Sequence, residues 1–122
     1  MKTAIASSSS KSRVSWYLSK SNLGQYFDSV YCGDMVARCK PFPDVYQAAA
    51  ASIGLSAAEC LAIEDSRNGI RSAVAAGCIT IMIPDITPVD EAMRSMCFRV
   101  LNSFDDVPEV IAYINQTKTI DT

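Results

Sequence analysis

Histidine is missing from the chain altogether. That absence excludes Ser-His-Asp and Cys-His nucleophile systems and every histidine-based zinc site. Cysteine is present, but as an odd set of five with no C-x-x-C pair. Neither a metal knuckle nor a closed disulfide framework fits that pattern, so buried, reduced thiols in a cytoplasmic protein are expected. Charge of one sign is also lacking: the net charge is −2 and there is no run of Lys or Arg. Phosphate backbones are held by clustered cations, so nucleic acid is not an expected partner. No apolar stretch reaches the length of a membrane span. The opening Met1-Lys2-Thr3-Ala4-Ile5-Ala6 is too short for a signal-peptide core and reads as a strand.

What is present is an ordinary globular composition, 49% hydrophobic and 20% charged, in 122 residues. That is room for a single domain with one core over 1–122. Apolar or β-branched runs predict strands at Lys2–Ser7, Ser29–Cys32, Cys60–Ile63, Cys78–Ile83 and Phe98–Leu101. Val14, Tyr17, Leu18 and Ser21 recur at helical spacing, which predicts a helix from Ser10 to Gly24, with Trp16 and Tyr17 as packing residues. Pro43 suits the first turn of a second helix, whose apolar face is Val45, Tyr46, Ala49 and Ile53. Ser56-Ala57-Ala58-Glu59 is a capping-box pattern for one short turn. Ile70, Ala73, Val74 and Gly77 mark a third helix, Asp90–Ser95 a helical turn. Val107, Val110, Ile111 and Ile114 mark a last helix, capped by Ser103 with Asp106. Buried strands alternating with amphipathic helices predict an α/β, Rossmann-like parallel sheet with helices on both faces.

Ligands on such sheets bind beyond the carboxyl ends of the strands. Ser7, Lys40, Glu64 and Asp65 all fall just after strands or in the loops beyond them. Glu64-Asp65 places adjacent carboxylates where an apolar strand enters a loop, a donor pair suited to a hard cation. The competing reading is a pair of loop acids, with Asp65 capping the next helix. Gly69 lets the backbone pass close to a ligand or another element. Lys40 is delivered by the stiff Lys40-Pro41-Phe42-Pro43-Asp44 turn and can neutralise a phosphate, although a lone lysine is more often a surface residue. Ser7 or Ser8, with N–H groups at a helix start, can contact an anion; capping and solvation are the plainer roles for Ser7 to Ser10. Asn68 could assist there, whereas Asp34 reads as a turn residue. Taken together these residues indicate a Mg²⁺-dependent phosphoryl site.

Ala4-Ile5-Ala6-Ser7-Ser8-Ser9, Gly33 through Tyr46 with Lys40-Pro41-Phe42-Pro43-Asp44, Glu64 through Ala73, and Ala75-Ala76-Gly77 together resemble the haloacid dehalogenase superfamily. The nearest branch is that of β-phosphoglucomutase and phosphoglycolate phosphatase. The resemblance implies a Mg²⁺-dependent phosphohydrolase or phosphomutase acting on small phosphate esters, such as sugar phosphates, through an aspartyl-phosphate. By motif, Ser7 resembles the serine that hydrogen-bonds the transferring phosphoryl group, with Ser8 beside it. Lys40 resembles the lysine that stabilises its charge, and Glu64 and Asp65 resemble the acids that bind Mg²⁺. One departure is large: no Asp-x-Asp, the family's nucleophile motif, occurs anywhere. The resemblance then implies a C-terminal core part whose central first strand, nucleophile and inserted cap lie upstream. Such a chain would be inactive alone, and open to self-association or to a missing N-terminal segment. Two other readings stay open. One is a non-catalytic phosphate- and metal-binding or assembly module. The other is a receiver-type domain, against which stands the order of Lys40 before Glu64-Asp65.

Overall fold

The apolar runs and amphipathic stretches alternate strictly along the chain, and the folded elements follow them. In a computed structural model, which describes residues 1–121, they are β1 (Ala4–Ser7), α1 (Lys11–Ser21), β2 (Ser29–Cys32), α2 (Asp44–Ser52), β3 (Leu61–Glu64), α3 (Arg67–Ala76), β4 (Ile79–Met82), α4 (Glu91–Met96), β5 (Arg99–Val100) and α5 (Val107–Asp121). Polar side chains set the boundaries. The hydroxyl of Ser10 accepts from Arg13 N at the start of α1, and that of Ser66 accepts from Gly69 N at the start of α3. α3 ends at Gly77, whose φ of 96° is the left-handed cap that glycine favours. α1 stops at Asn22, with φ 58°, two residues short of Gly24, because asparagine also tolerates that conformation.

Among the described residues all strand pairing is parallel, in two sheets of order β1-β2 and β3-β4-β5. Ala4 pairs with Ser29 through to Ser7 with Cys32, and Leu61 pairs with Ile79 through to Glu64 with Met82. Helices cover both faces of the three-stranded sheet, because side chains alternate along β4. Ile81 and Ile83 pack with Val107 and Val110 of α5. Met82, between them, faces the other way and packs with Ile70 of α3 and Met93 of α4, all three fully buried.

Between the sheets lies an open groove of about 810 Å³, walled by β1, β3, α2 and α5. The hydrogen-bond alternation identifies its edges. Cys60 O and Glu64 O accept from β4, so the backbone groups of Leu61 and Ile63 point the other way, into the groove. Thr3 O accepts from Asp28 N, so the groups of Ala4 and Ala6 point away from β2, into the same groove. Two strand edges thus face each other with no strand between them. The carboxyl ends of β1 and β3 lie together, since residues just beyond both line one cavity.

Two sequence expectations fail. On α1 only Val14 is buried; Trp16 and Tyr17 are 56% and 55% exposed. α1 lies against the small β1-β2 sheet and so covers only one row of its residues, while Lys20 and Arg13 lie over the two aromatic rings. Of the five cysteines only Cys32 is fully buried, and Cys39, in the loop before α2, is exposed. Among the described residues no helix is long and apolar enough to cross a membrane.

α4 begins at Asp90, whose carboxylate accepts from Met93 N at 2.8 Å and pairs with Arg67 of α3. The Met93 N–H, then the Arg67 guanidinium, hold the Asp90 carboxyl below its ordinary range despite partial desolvation. A folded pKa below the unfolded one stabilises above the ordinary carboxylate pKa of about 4 and is lost as pH falls through the folded value. Urea midpoints of the parent and of Asp90→Asn should therefore differ at pH 7 and converge on acidification. A gap that persists unchanged at low pH would exclude the charged cap.

Candidate active site

The loop before α2 is fixed before it presents anything. Ser72 of α3, fully buried, donates its hydroxyl to Phe42 O at 2.6 Å. Arg38 pairs with Asp44 at 2.9 Å and lies over the Phe42 ring. The Lys40–Pro41 peptide is cis. From this loop the Lys40 side chain runs inward, and its Nζ donates to Ala6 O on β1 at 3.1 Å and to Glu64 Oε1 on β3 at 2.5 Å. Both side chains of that pair are almost buried, 10% and 7% exposed. Lys40 therefore ties the carboxyl ends of the two sheets together.

Glu64 is held on two further sides. Tyr46, from the first turn of α2, donates its hydroxyl to the same Oε1 at 2.5 Å, and its ring lies beneath the Lys40 ammonium, 5.2 Å from the centroid. Burial, and then the adjacent Glu64 carboxylate, push the Tyr46 hydroxyl far above its ordinary pKa, so it stays a donor. On the other side Gly69 of α3 lies flush against the carboxylate, and a Cβ there would overlap it. The freedom expected of Gly69 is used to accommodate Glu64, not a ligand.

Ser7, Ser8, Lys40, Glu64 and Asp65 line one cavity of about 730 Å³ beyond the ends of β1 and β3. Ser7 Oγ accepts from Ser9 N at 3.1 Å, which curls the chain at the end of β1. The curl is backed by Gly33, where a Cβ would stand 2.7 Å from Ser8 O. Ser10 caps α1, as the plainer reading of the serine run allowed. Asp34 accepts from Lys11 N and is a structural partner of α1. Asp65 is exposed at the cavity wall, and Asn68 lines it too. Arg67 faces Asp90. Sequence reasoning passed over two residues near this site. Asp85 lines the cavity just past β4, and the strand-end rule applied to β4 would have found it. Tyr46 was read only as part of an apolar face, because a tyrosine at helical spacing carries no signal of what its hydroxyl meets.

The cavity combines an immobilised ammonium, hydroxyls and exposed carboxylates. Such a set can hold an oxyanion beside Lys40 and a hard cation beside Asp65. Among the described residues no three acidic, cysteine or histidine groups form a metal cage. Mg²⁺ needs none, since it is commonly held by one or two carboxylates with water and substrate phosphate.

The packing of Gly69 against Glu64 is open to test. Gly→Ala inside a helix ordinarily stabilises by about 0.5–1 kcal/mol. Here Gly69→Ala should destabilise, by about 2 kcal/mol, because the carboxylate must leave both its donors or the helix must shift. The urea midpoint measures this, and a raised midpoint would mean that Glu64 moves aside freely.

Comparison with known proteins agrees with this geometry. The family model for haloacid dehalogenase-like hydrolases matches residues 1–83. The chain is 39% identical over 87 residues to the protein CbbY of Rhodobacter capsulatus, covering 69% of this chain and 38% of that one. It is 36% identical over 69 residues to hexitol phosphatase A of Escherichia coli, covering 52% and 32%. Its fold matches the crystal structure of CbbY from Rhodobacter sphaeroides in complex with phosphate, with a TM-score of 0.76 and 32% identity, over 85% of this chain and 47% of that one. A HAD family hydrolase from Deinococcus radiodurans, with bound phosphate and sodium, matches with a TM-score of 0.79 and 30% identity, over 90% and 51%. The chain thus spans 38% and 32% of the length of these two sequence relatives and about half of the two solved structures. With the parallel strands, the serine loop at the end of β1 and the lysine and acids at one rim, the family match establishes that the chain belongs to the haloacid dehalogenase-like hydrolases.

Proposed function

We propose that this chain is the phosphoryl-holding part of a Mg²⁺-dependent phosphatase or phosphomutase that acts on small phosphate esters, sugar phosphates among them. The observation that carries the reading is the Lys40 ammonium, held between Ala6 O and Glu64 in the cavity that Ser7, Ser8 and Asp65 share. Lys40 neutralises the phosphoryl oxygens, and Ser7 and Ser8 with the turn's N–H groups hydrogen-bond them. Asp65, with Glu64 behind it, would hold Mg²⁺, which when bound supplies further charge neutralisation at the phosphoryl group. Positioning and charge neutralisation supply most of the catalysis in phosphoryl transfer.

The covalent step would use the aspartate of an Asp-x-Asp motif, and this chain has no such motif. An aspartate from a segment outside the chain would attack phosphorus as the ester oxygen leaves with a proton from a neighbouring acid. Water would then release phosphate from the aspartyl-phosphate. The groove between β1 and β3, with backbone groups facing it from both edges, supports such a segment entering as a strand. The five free thiols suit a cytoplasmic setting. A second reading, a non-catalytic module that binds phosphate and metal, is favoured by the absent nucleophile motif.

The isolated chain should bind inorganic phosphate in the presence of Mg²⁺, and Lys40→Gln should weaken that binding at least tenfold in a calorimetric titration. It should not hydrolyse p-nitrophenyl phosphate. Phosphate affinity unmoved by Lys40→Gln would overturn the proposed site. Ester hydrolysis that is lost in Lys40→Gln would overturn the need for an outside carboxylate.

A further inference from the structure

Tyr46 is a half-buried residue whose hydroxyl the phosphoryl reading has not used. Its hydroxyl and the Lys40 ammonium converge on one atom, Glu64 Oε1, each at 2.5 Å. The ring of the same tyrosine lies 5.2 Å beneath that ammonium. An ammonium has three protons. Ala6 O and Glu64 Oε1 take two of them, which leaves one N–H for an incoming oxyanion. Where that N–H points depends on where Oε1 sits. Gly69 closes one side of the carboxylate and Tyr46 the other, so the phenol is the group that stops the carboxylate turning on its own side chain.

We propose that Tyr46 is a positioning residue of the phosphoryl site: its hydroxyl fixes the Glu64 carboxylate, and the fixed carboxylate sets the direction of the free Lys40 N–H. The inference rests on the phosphoryl reading of Lys40. Tyr46 touches neither substrate nor reacting atoms; it acts through Glu64. The ring lines the groove and lies beneath the Lys40 ammonium, so Tyr46→Phe keeps the ring and removes one hydrogen bond.

The test is a set of titrations of the whole chain with inorganic phosphate at constant Mg²⁺, with urea midpoints measured alongside. Tyr46→Phe should weaken phosphate binding about fivefold to tenfold, the net contribution of one hydrogen bond. In a Lys40→Gln background the same substitution should cost no further affinity, because the N–H it directs is gone. Should Lys40→Gln fail to fold, Lys40→Arg replaces it, since a planar guanidinium cannot take the ammonium's three-way geometry. A merely structural tyrosine would lower the urea midpoint and leave phosphate affinity alone; that outcome overturns the inference. Affinity that falls equally in both backgrounds overturns it as well. If Lys40→Gln weakens binding and Tyr46→Phe does not, Tyr46 alone loses its role. If neither changes affinity, the phosphoryl reading and this inference fall together.

Discussion

The nearly buried pair between Lys40 and Glu64 is the constraint on which the rest of this molecule depends. Two charges with side chains only 10% and 7% exposed are costly to desolvate, and further hydrogen bonds must offset that cost. Here Ala6 O takes a second lysine proton and Tyr46 adds a second donor to the carboxylate. The pair also spans the break in the sheet: the lysine reaches across from a loop fixed to α3, touches β1, and meets an acid on β3. Removing one partner would leave an uncompensated buried charge, a loss of about 3–5 kcal/mol in comparable cases. The same contacts that join the sheets therefore determine where a positive charge meets the cavity.

The break itself follows from strand geometry. A parallel strand has two edges, and β1 and β3 each use one of them on a neighbour. Their free edges face a groove lined by Ile53, Ile111 and Ile114 as well as by backbone. Apolar walls are unfavourable in water, and together with the unpaired edges they form a template for an added strand. The polar cavity lies at one end of this groove, with Lys40 where the two meet. A strand lying in the groove parallel to its neighbours would end beside the ammonium.

Much of this was legible in the sequence, for identifiable reasons. β2 and the span of α3 were readable because continuous β-branched or apolar residues and a terminal glycine have few alternative meanings. The convergence of Ser7, Lys40, Glu64 and Asp65 was readable because parallel sheets gather their strand ends on one side. Exposure on α1 was not readable, because helical spacing shows which residues share a face but not whether anything covers it. The partners of Glu64 were hidden as well. Tyr46 is 18 residues away and Lys40 is 24, and only the packing of α2 against β1, β2 and α3 brings them together.

Adjacent residues with the same ionisable group have been divided by their position on the strand. Side chains alternate at the end of β3, so Glu64 turns inward to a lysine and a tyrosine while Asp65 stays at the exposed wall of the cavity. The inward acid has its Oε1 shared by two donors and is closed in by Gly69, so it is fixed and poor at exchanging partners. The outward acid keeps its oxygens available to water or to a hard cation. A single dipeptide thus supplies one carboxylate that organises the cation of the protein and one that can receive a cation from solution.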